Sequence, residues 1–343
     1  MNNHTFIIAE AGSNWKCGSY NEDLEQARKL IKIAADAGAD AVKFQTFNSE
    51  SIYAFNAGKS NYLSKNNIDE NINDLFKNLS MPYEMIPELK KICKNEKIKF
   101  MSTPFSVEDA KQVDPFVEIH KIASFEINHI GLLDFLSQTK KPIILSTGAS
   151  NYEEIDFAIN FLMSRDVEKI ILLQCTSKYP CPVESLNISA INDLRQRYDL
   201  PVGLSDHSLD AVIAPVMAVS FGSNIIEKHF TLDKNLTGPD HKFALNPEEL
   251  KLMVRSIRLA EKAIGHGKKT ILDDERELRV FATRSIQATK NISKGDLLIE
   301  GTNIAILRPG NRIRGLDARF FSNVVNKRSK NDVKQGDGIL EYY

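Results

Sequence analysis

The chain is poor in the features that mark many protein classes. Its 343 residues hold one tryptophan and four cysteines, and the formal net charge is -1 at pH 7. Cys17, Cys93, Cys175 and Cys181 follow neither a metal-knuckle nor a secreted-scaffold spacing, so reduced thiols in a cytoplasmic protein are the expectation. Charges of both signs are interspersed, which excludes a nucleic-acid stripe or an anionic membrane surface as the main partner. No apolar run approaches the roughly 20 residues that cross a bilayer. MNNHTFIIAEAG has no basic region ahead of a long apolar one, so no signal peptide is expected. A glycine-rich nucleotide-binding turn is missing too, since AEAGSNWKCG is a poor match to one.

What is present is a repeated alternation. Eight short apolar runs, at 6–9, 41–44, 100–101, 117–122, 142–145, 170–173, 202–204 and 224–227, are separated by amphipathic stretches. The clearest of these, at 21–39, 81–95, 152–164, 187–198 and 246–264, carry apolar residues every three or four positions. Short buried strands alternating with helices predict a parallel sheet, and eight repeats over residues 1–265 predict a closed (β/α)8 TIM barrel. One unit is oversized: 48–81 is polar, asparagine-rich and weakly periodic, and reads as a loop covering the substrate. Residues 266–283 read as a linker. Residues 284–343 alternate strand-like pieces (SIQATK, NIAILRP, VVNKRS) with turn signals, predicting a small β-rich domain that alone would be marginal.

In a barrel the C-terminal strand ends converge on one site. Those ends here read Glu10, Lys43 with Gln45, Ser102-Thr103, Lys121 with Ser124, Ser146-Thr147, Thr176-Ser177, Ser205-Asp206-His207 and Glu227-Lys228-His229. His207 and His229 end neighbouring strands, roughly 5 Å apart across the sheet, so two imidazoles can reach one ion or can each satisfy a local hydrogen bond. Lysines and hydroxyls suit a phosphate-bearing anion. A metal at the histidines would polarise a carbonyl, leaving Glu10 and Glu227 for acid, base or hydroxyl-binding work. The residues thus point to metal-assisted carbonyl or carbon–carbon chemistry on a phosphorylated substrate. A Schiff base on Lys43, Lys121 or Lys228 is the competing reading.

The segments IIAEAGSN, GADAVKFQT, STPFS, KIASFE, ILSTGAS, CTSKYPCP, GLSDHS, IIEKHFTLDK and GPDHKFALNPEEL resemble the sialic-acid synthase family, the phosphoenolpyruvate-dependent synthases of N-acetylneuraminate, legionaminate and pseudaminate. NISKGDLL followed by LRPGN resembles the antifreeze-like (SAF, β-clip) domain those enzymes carry. The resemblance implies His207 and His229 as ligands of a divalent metal, manganese first, with magnesium or cobalt as alternatives. It implies Lys43, Thr103, Lys121, Ser124, Ser177 and Ser205 around phosphoenolpyruvate, with Ser177 in place of an asparagine found in some members. Gln45, Tyr179, Glu227 and Asp240 match positions lining the sugar, and Glu10 matches a first-strand acid/base carboxylate. Arg308 matches an arginine that reaches the partner subunit's barrel, which implies a domain-swapped homodimer. The implied reaction condenses phosphoenolpyruvate with a 2-acylamino-hexose, giving a nine-carbon 2-keto-3-deoxy acid and phosphate. A synthase using an aldose phosphate is the runner-up, and a carbohydrate-binding protein the non-enzymatic alternative.

The chain also departs from that pattern. Many members read NHNG or NHEG where this sequence has Asn14-Trp15-Lys16-Cys17-Gly18, and an altered sugar pocket is the expectation. KIASFE and MPYE lean towards the pseudaminate branch while GPDHKFALNPEEL leans towards the neuraminate and legionaminate branches, so the acceptor stays open. His4, His120, His129 and His266 read as locally bonded residues, and Cys175 and Cys181 as packing. His241, which follows Asp240 in GPDH, is a candidate substrate contact.

Overall fold

The computed structural model describes residues 4–60 and 69–343. Contacts divide the chain into two compact units, Met1–Gly265 and His266–Tyr343. In the first, strands β1 (Phe6–Gly12), β2 (Ala41–Thr46), β3 (Lys99–Pro104), β4 (His120–Ile122), β5 (Ile143–Ser146), β6 (Ile170–Cys175), β7 (Val202–Asp206) and β8 (Ile225–His229) form one sheet ordered β3-β2-β1-β8-β7-β6-β5-β4. Every pairing is parallel, and β1 pairs with β8. This is a nearly closed (β/α)8 barrel, as the alternation predicts.

The two-residue period of the strands decides what each side chain faces. Ile8, Ala41, Met101, Ile144, Leu173 and Ile225 form a buried cluster of their own inside the barrel. Their neighbours Ile7, Ala9, Val42, Phe100, Ile143, Leu145, Leu172 and Ile226 belong to a second core, shared with the helices. Two residues beyond the inner layer, at the same parity, come Glu10, Lys43, Thr103, Ser146, Cys175 and Glu227. The barrel floor is therefore apolar and its upper rim polar.

The helices Tyr20–Ala37 and Pro247–Ile264 start at capping boxes, Ser19 with Glu22 and Asn246 with Glu249. Tyr152–Met163 starts at another, Asn151 with Glu154. The strand predicted at 117–122 is shorter: Asp114–Phe116 forms a 3-10 turn with Pro115 near its start, and only His120–Ile122 enters the sheet. In the long β2 insertion, helices Ser49–Ile52 and Ile72–Leu79 are present, and part of the predicted covering loop, 61–68, lies outside the described residues.

In the second unit, β9 (Ser285–Ala288) and β10 (Ile304–Leu307) pair antiparallel over a core of Ile286, Ala288, Ile292, Leu298, Ile304, Val324 and Ile339. The strand-like piece at 324–329 contributes only isolated bridges, Arg328 to Leu297 and Ser329 to Tyr342, because Phe321–Val324 is helical. The segment read as a linker contains a helix, Arg276–Ala282, too short to show an amphipathic period. Among the described residues, no helix is long and apolar enough to cross a membrane.

Candidate active site

The polar rim opens into a cavity of about 1140 Å³. Glu10, Lys43, Gln45, Thr103, Lys121, Ser124, Ser177, Tyr179, Ser205, His207, Glu227, His229 and Asp240 all line it. Arg308 stands in the second unit, exposed, one residue past β10.

At the cavity base two carboxylates and two ammoniums interlock. Lys43 Nζ lies 2.5 Å from Glu10 Oε2 and 3.6 Å from Glu227 Oε2, and donates to Thr103 Oγ1 at 2.9 Å. Lys121 Nζ lies 3.6 Å from Glu227 Oε1, which accepts from Ser205 Oγ at 3.0 Å. Gln45 Nε2 donates to Glu10 Oε1 at 3.3 Å. The strand register makes this possible, because Glu10 pairs with Lys43 across β1 and β2, and Ser205 with Glu227 across β7 and β8.

The two carboxyls differ sharply. Burial raises the Glu10 carboxyl to about 7, and the negative Glu227 adds to the rise while Lys43 opposes it. Burial also disfavours the Glu227 carboxylate, but Lys121 and Lys43 together outweigh it and hold that group below its ordinary value. Near neutrality Glu227 is a fixed anion and Glu10 can exchange a proton. Burial works against the Lys43 ammonium, yet Glu10 and Glu227 raise it above the ordinary lysine value. That disfavours Lys43 as the free amine a Schiff base needs. Lys228 is outside the cavity altogether, paired with Asp206 behind the sheet.

The imidazoles of His207 and His229 face each other with ring centroids 5.6 Å apart. His207 Nδ1 lies 3.0 Å from the Thr176 carbonyl oxygen, a bond that assigns its hydrogen to Nδ1 and leaves Nε2 free to ligate. His229 Nδ1 is buried with no hydrogen-bond partner, 3.7 Å from Asp240 Oδ2. Burial, then His207 and the nearby lysines, push the His229 imidazole well below its usual value, so it is neutral. These residues fit a divalent ion, which the two imidazoles would hold. Among the described residues no group of three or more His, Cys, Asp or Glu side chains forms a closed metal cage. Asp240 Oδ2 accepts from Ser13 Oγ at 3.3 Å, and burial raises its carboxyl to about 6.

Several expectations are corrected. Ser102, Thr147 and Thr176, counted in the polar ring, bond instead to Thr46, to the Leu173 carbonyl and to the Ser185 carbonyl. Strand parity turns the first of these away from the rim. Trp15 is fully buried in the helix–sheet core and does not line the cavity, so the loop variant does not reshape the pocket by that side chain. His241 is buried, 2.6 Å from Thr231 Oγ1, and likewise lines no part of the cavity. Cys175 lines the cavity 3.8 Å from His207 Nδ1.

Other cavity groups were not singled out by sequence. Phe47, Ile72, Leu75 and Leu79 form a small apolar cluster flanking the cavity, carried largely by the β2 insertion whose composition reads as polar. Burial raises the Glu126 carboxyl to about 7, and Glu126 Oε2 has no hydrogen-bond partner. Gly148 N donates to Ser124 Oγ at 3.0 Å, and a Cβ there would stand 2.8 Å from Cys175 Sγ and 2.9 Å from Ser124 Oγ, against Ser177 Oγ as well. ILSTGAS held the signal, a glycine directly after a polar strand end.

Comparison with known proteins shows the family. The model of the NeuB family matches residues 30–269. The chain belongs to the NeuB family. This NeuB-family enzyme is 38% identical over 341 residues to a pseudaminic acid synthase of Campylobacter jejuni, covering 98% of this chain and 95% of the relative. It is 39% identical over 341 residues to an N,N'-diacetyllegionaminic acid synthase of the same species, covering 98% and 99%. Among solved structures, the N-acetylneuraminic acid synthetase of Leptospira borgpetersenii, in complex with citrate, superposes with a TM-score of 0.71 at 36% identity, covering 81% of this chain and 90% of that one.

Proposed function

We propose that this NeuB-family enzyme condenses phosphoenolpyruvate with the open-chain form of a 2-acylamino-hexose, giving a nine-carbon 2-keto-3-deoxy sugar acid and phosphate. The acceptor is N-acetylmannosamine or a 2,4-diacetamido-trideoxyhexose. One observation carries the reading: a pair of lysines, Lys43 and Lys121, sits in the same cavity as a pair of imidazoles with ring centroids 5.6 Å apart. The first suits a phosphate and a carboxylate, the second the oxygen of a carbonyl.

Lys43, Thr103, Lys121, Ser124, Ser177 and Ser205 hold phosphoenolpyruvate, the ammoniums offsetting its charge and the hydroxyls fixing its orientation. Gln45, Tyr179, Glu227 and Asp240 hold the sugar. His207 and His229 would hold a divalent ion, manganese in the first instance, which when bound would supply Lewis-acid polarisation of the aldehyde oxygen. C3 of phosphoenolpyruvate forms a bond to the aldehyde carbon, whose oxygen takes up a proton. Water adds at C2 and gives up a proton, for which Glu10, titrating near neutrality, is the acceptor. The C2–O bond to phosphate then breaks, the leaving phosphate takes the proton of the remaining C2 hydroxyl, and a ketone is left.

Residues 284–343 are read as an SAF-type domain, and Arg308 as the group that completes the partner's sugar site in a swapped homodimer. The test is phosphate release from phosphoenolpyruvate with manganese across a panel of both sugar types, with product masses. Release with one sugar, abolished by EDTA, is expected. A folded, manganese-loaded protein that releases none with any of them overturns the reading.

A further inference from the structure

Asp206 and Lys228 precede the two histidines, and strand parity points both away from the cavity, into the layer behind the sheet. They are register partners across β7 and β8. Both side chains are fully buried, with Lys228 Nζ 2.5 Å from Asp206 Oδ2. The same ammonium donates to the Ser208 carbonyl at 2.7 Å and lies 3.2 Å from Ser208 Oγ, so its three donors meet three acceptors. Asp206 Oδ1 accepts from Ser208 N at 2.8 Å. The residues on either side of His207 are thereby tied to the residue immediately before His229.

A buried ion pair is a poor way to gain stability, because desolvating two charges cancels most of their attraction. What it supplies is direction: an ammonium with every donor engaged allows one arrangement of the strand ends. We propose that Asp206 and Lys228 are positioning residues, a clamp behind the sheet that presets the separation of His207 and His229 for a shared divalent cation. The cation is part of the function proposed above, whereas the clamp's effect on the imidazoles is not.

The test is the Asp206→Asn/Lys228→Met pair, which removes both charges, shortens only the lysine side chain, by one atom, and leaves an acceptor for Ser208 N. Mn2+ affinity is measured by calorimetry on the protein without substrate, Tm by calorimetric scanning, and ring positions by crystallography. The double variant is expected to stay folded and to bind Mn2+ roughly 10–100-fold more weakly, the usual cost of losing an outer support, with the rings displaced from their 5.6 Å separation. Lys228→Arg, which keeps the charge, should recover part of the affinity. Unchanged ring positions in a folded double variant overturn the clamp. Displaced rings in the variant, with no Mn2+ binding even by the parent, keep the clamp and remove the metal from the proposed function.

Discussion

Glu10 and Lys43 stand side by side on neighbouring strands, with Lys43 Nζ 2.5 Å from Glu10 Oε2 beneath an open cavity. Both are buried, and the carboxyl still titrates at about 7 because burial outweighs the ammonium beside it. An ion pair in this state is poised: an anionic ligand that draws on Lys43 raises the proton affinity of Glu10 further. Glu10→Gln should therefore leave phosphoenolpyruvate binding nearly intact and lower kcat, with the rise of kcat near pH 7 removed. Steady-state kinetics across pH 5.5–9 check this, and a Gln variant with the parental profile would take the proton away from Glu10.

Lys121→Met deletes an ammonium that holds down the Glu227 carboxyl. The loss of a charge-assisted contact to substrate costs about 1.5–3 kcal/mol, or roughly tenfold to a hundredfold in KM for phosphoenolpyruvate. The sugar KM should move far less. Equal changes in both constants would place Lys121 outside the anion site.

His229→Ala removes one of the two facing imidazoles. Turnover should fall to background at any manganese concentration, with Tm in EDTA within a few degrees of the parent. Retained manganese-dependent turnover would dismiss the pair as the metal site. Arg308→Ala bears on the other half of the reading: a raised sugar KM with phosphoenolpyruvate binding unchanged is expected, and an unaffected sugar KM removes Arg308 from the site.

Glu126 predicts a pH effect on stability. Its carboxyl is raised from 4.5 to about 7 by burial, so between those values the folded state holds a proton that the unfolded chain has released. Stability is then lost as pH rises from 4.5 towards 7, by up to about 3 kcal/mol for this group. Glu126→Gln should equal the parent at pH 4 and exceed it at pH 8. Urea denaturation at the two pH values measures the difference, and parallel behaviour of the two proteins would contradict the shift.

Gly12 and Gly148 should reject alanine for different reasons. Gly12 has a φ of +54°, and a Cβ there would stand 3.0 Å from Asp240 Oδ2 and 3.3 Å from His229 Cε1. Gly12→Ala is expected to cost about 1–3 kcal/mol of stability and to impair turnover. At Gly148 the crowding falls on Ser124 and Ser177, so Gly148→Ala should raise KM for phosphoenolpyruvate above all. Denaturation and kinetics together separate the two.

Residue order alone dictates the barrel and the rim of its site. Eight apolar runs can bury both faces only as parallel strands under helices, and each polar residue ending a run then falls at one end of the barrel. That logic located Glu10, Lys43, Lys121, His207, Glu227 and His229 without coordinates. It could not tell which neighbour in a polar cluster faces inward, because a one-residue change of parity turns a side chain to the other face of the sheet. Only the tertiary structure put Ser102 and Lys228 behind the sheet and buried Trp15 in the core. It alone brought Lys43 between two carboxylates, and distances of that kind decide which carboxyl stays charged. The apolar cluster from the β2 insertion was hidden for a related reason: its few large residues are scattered among asparagines, and become one surface only when the helix Ile72–Leu79 packs against Phe47.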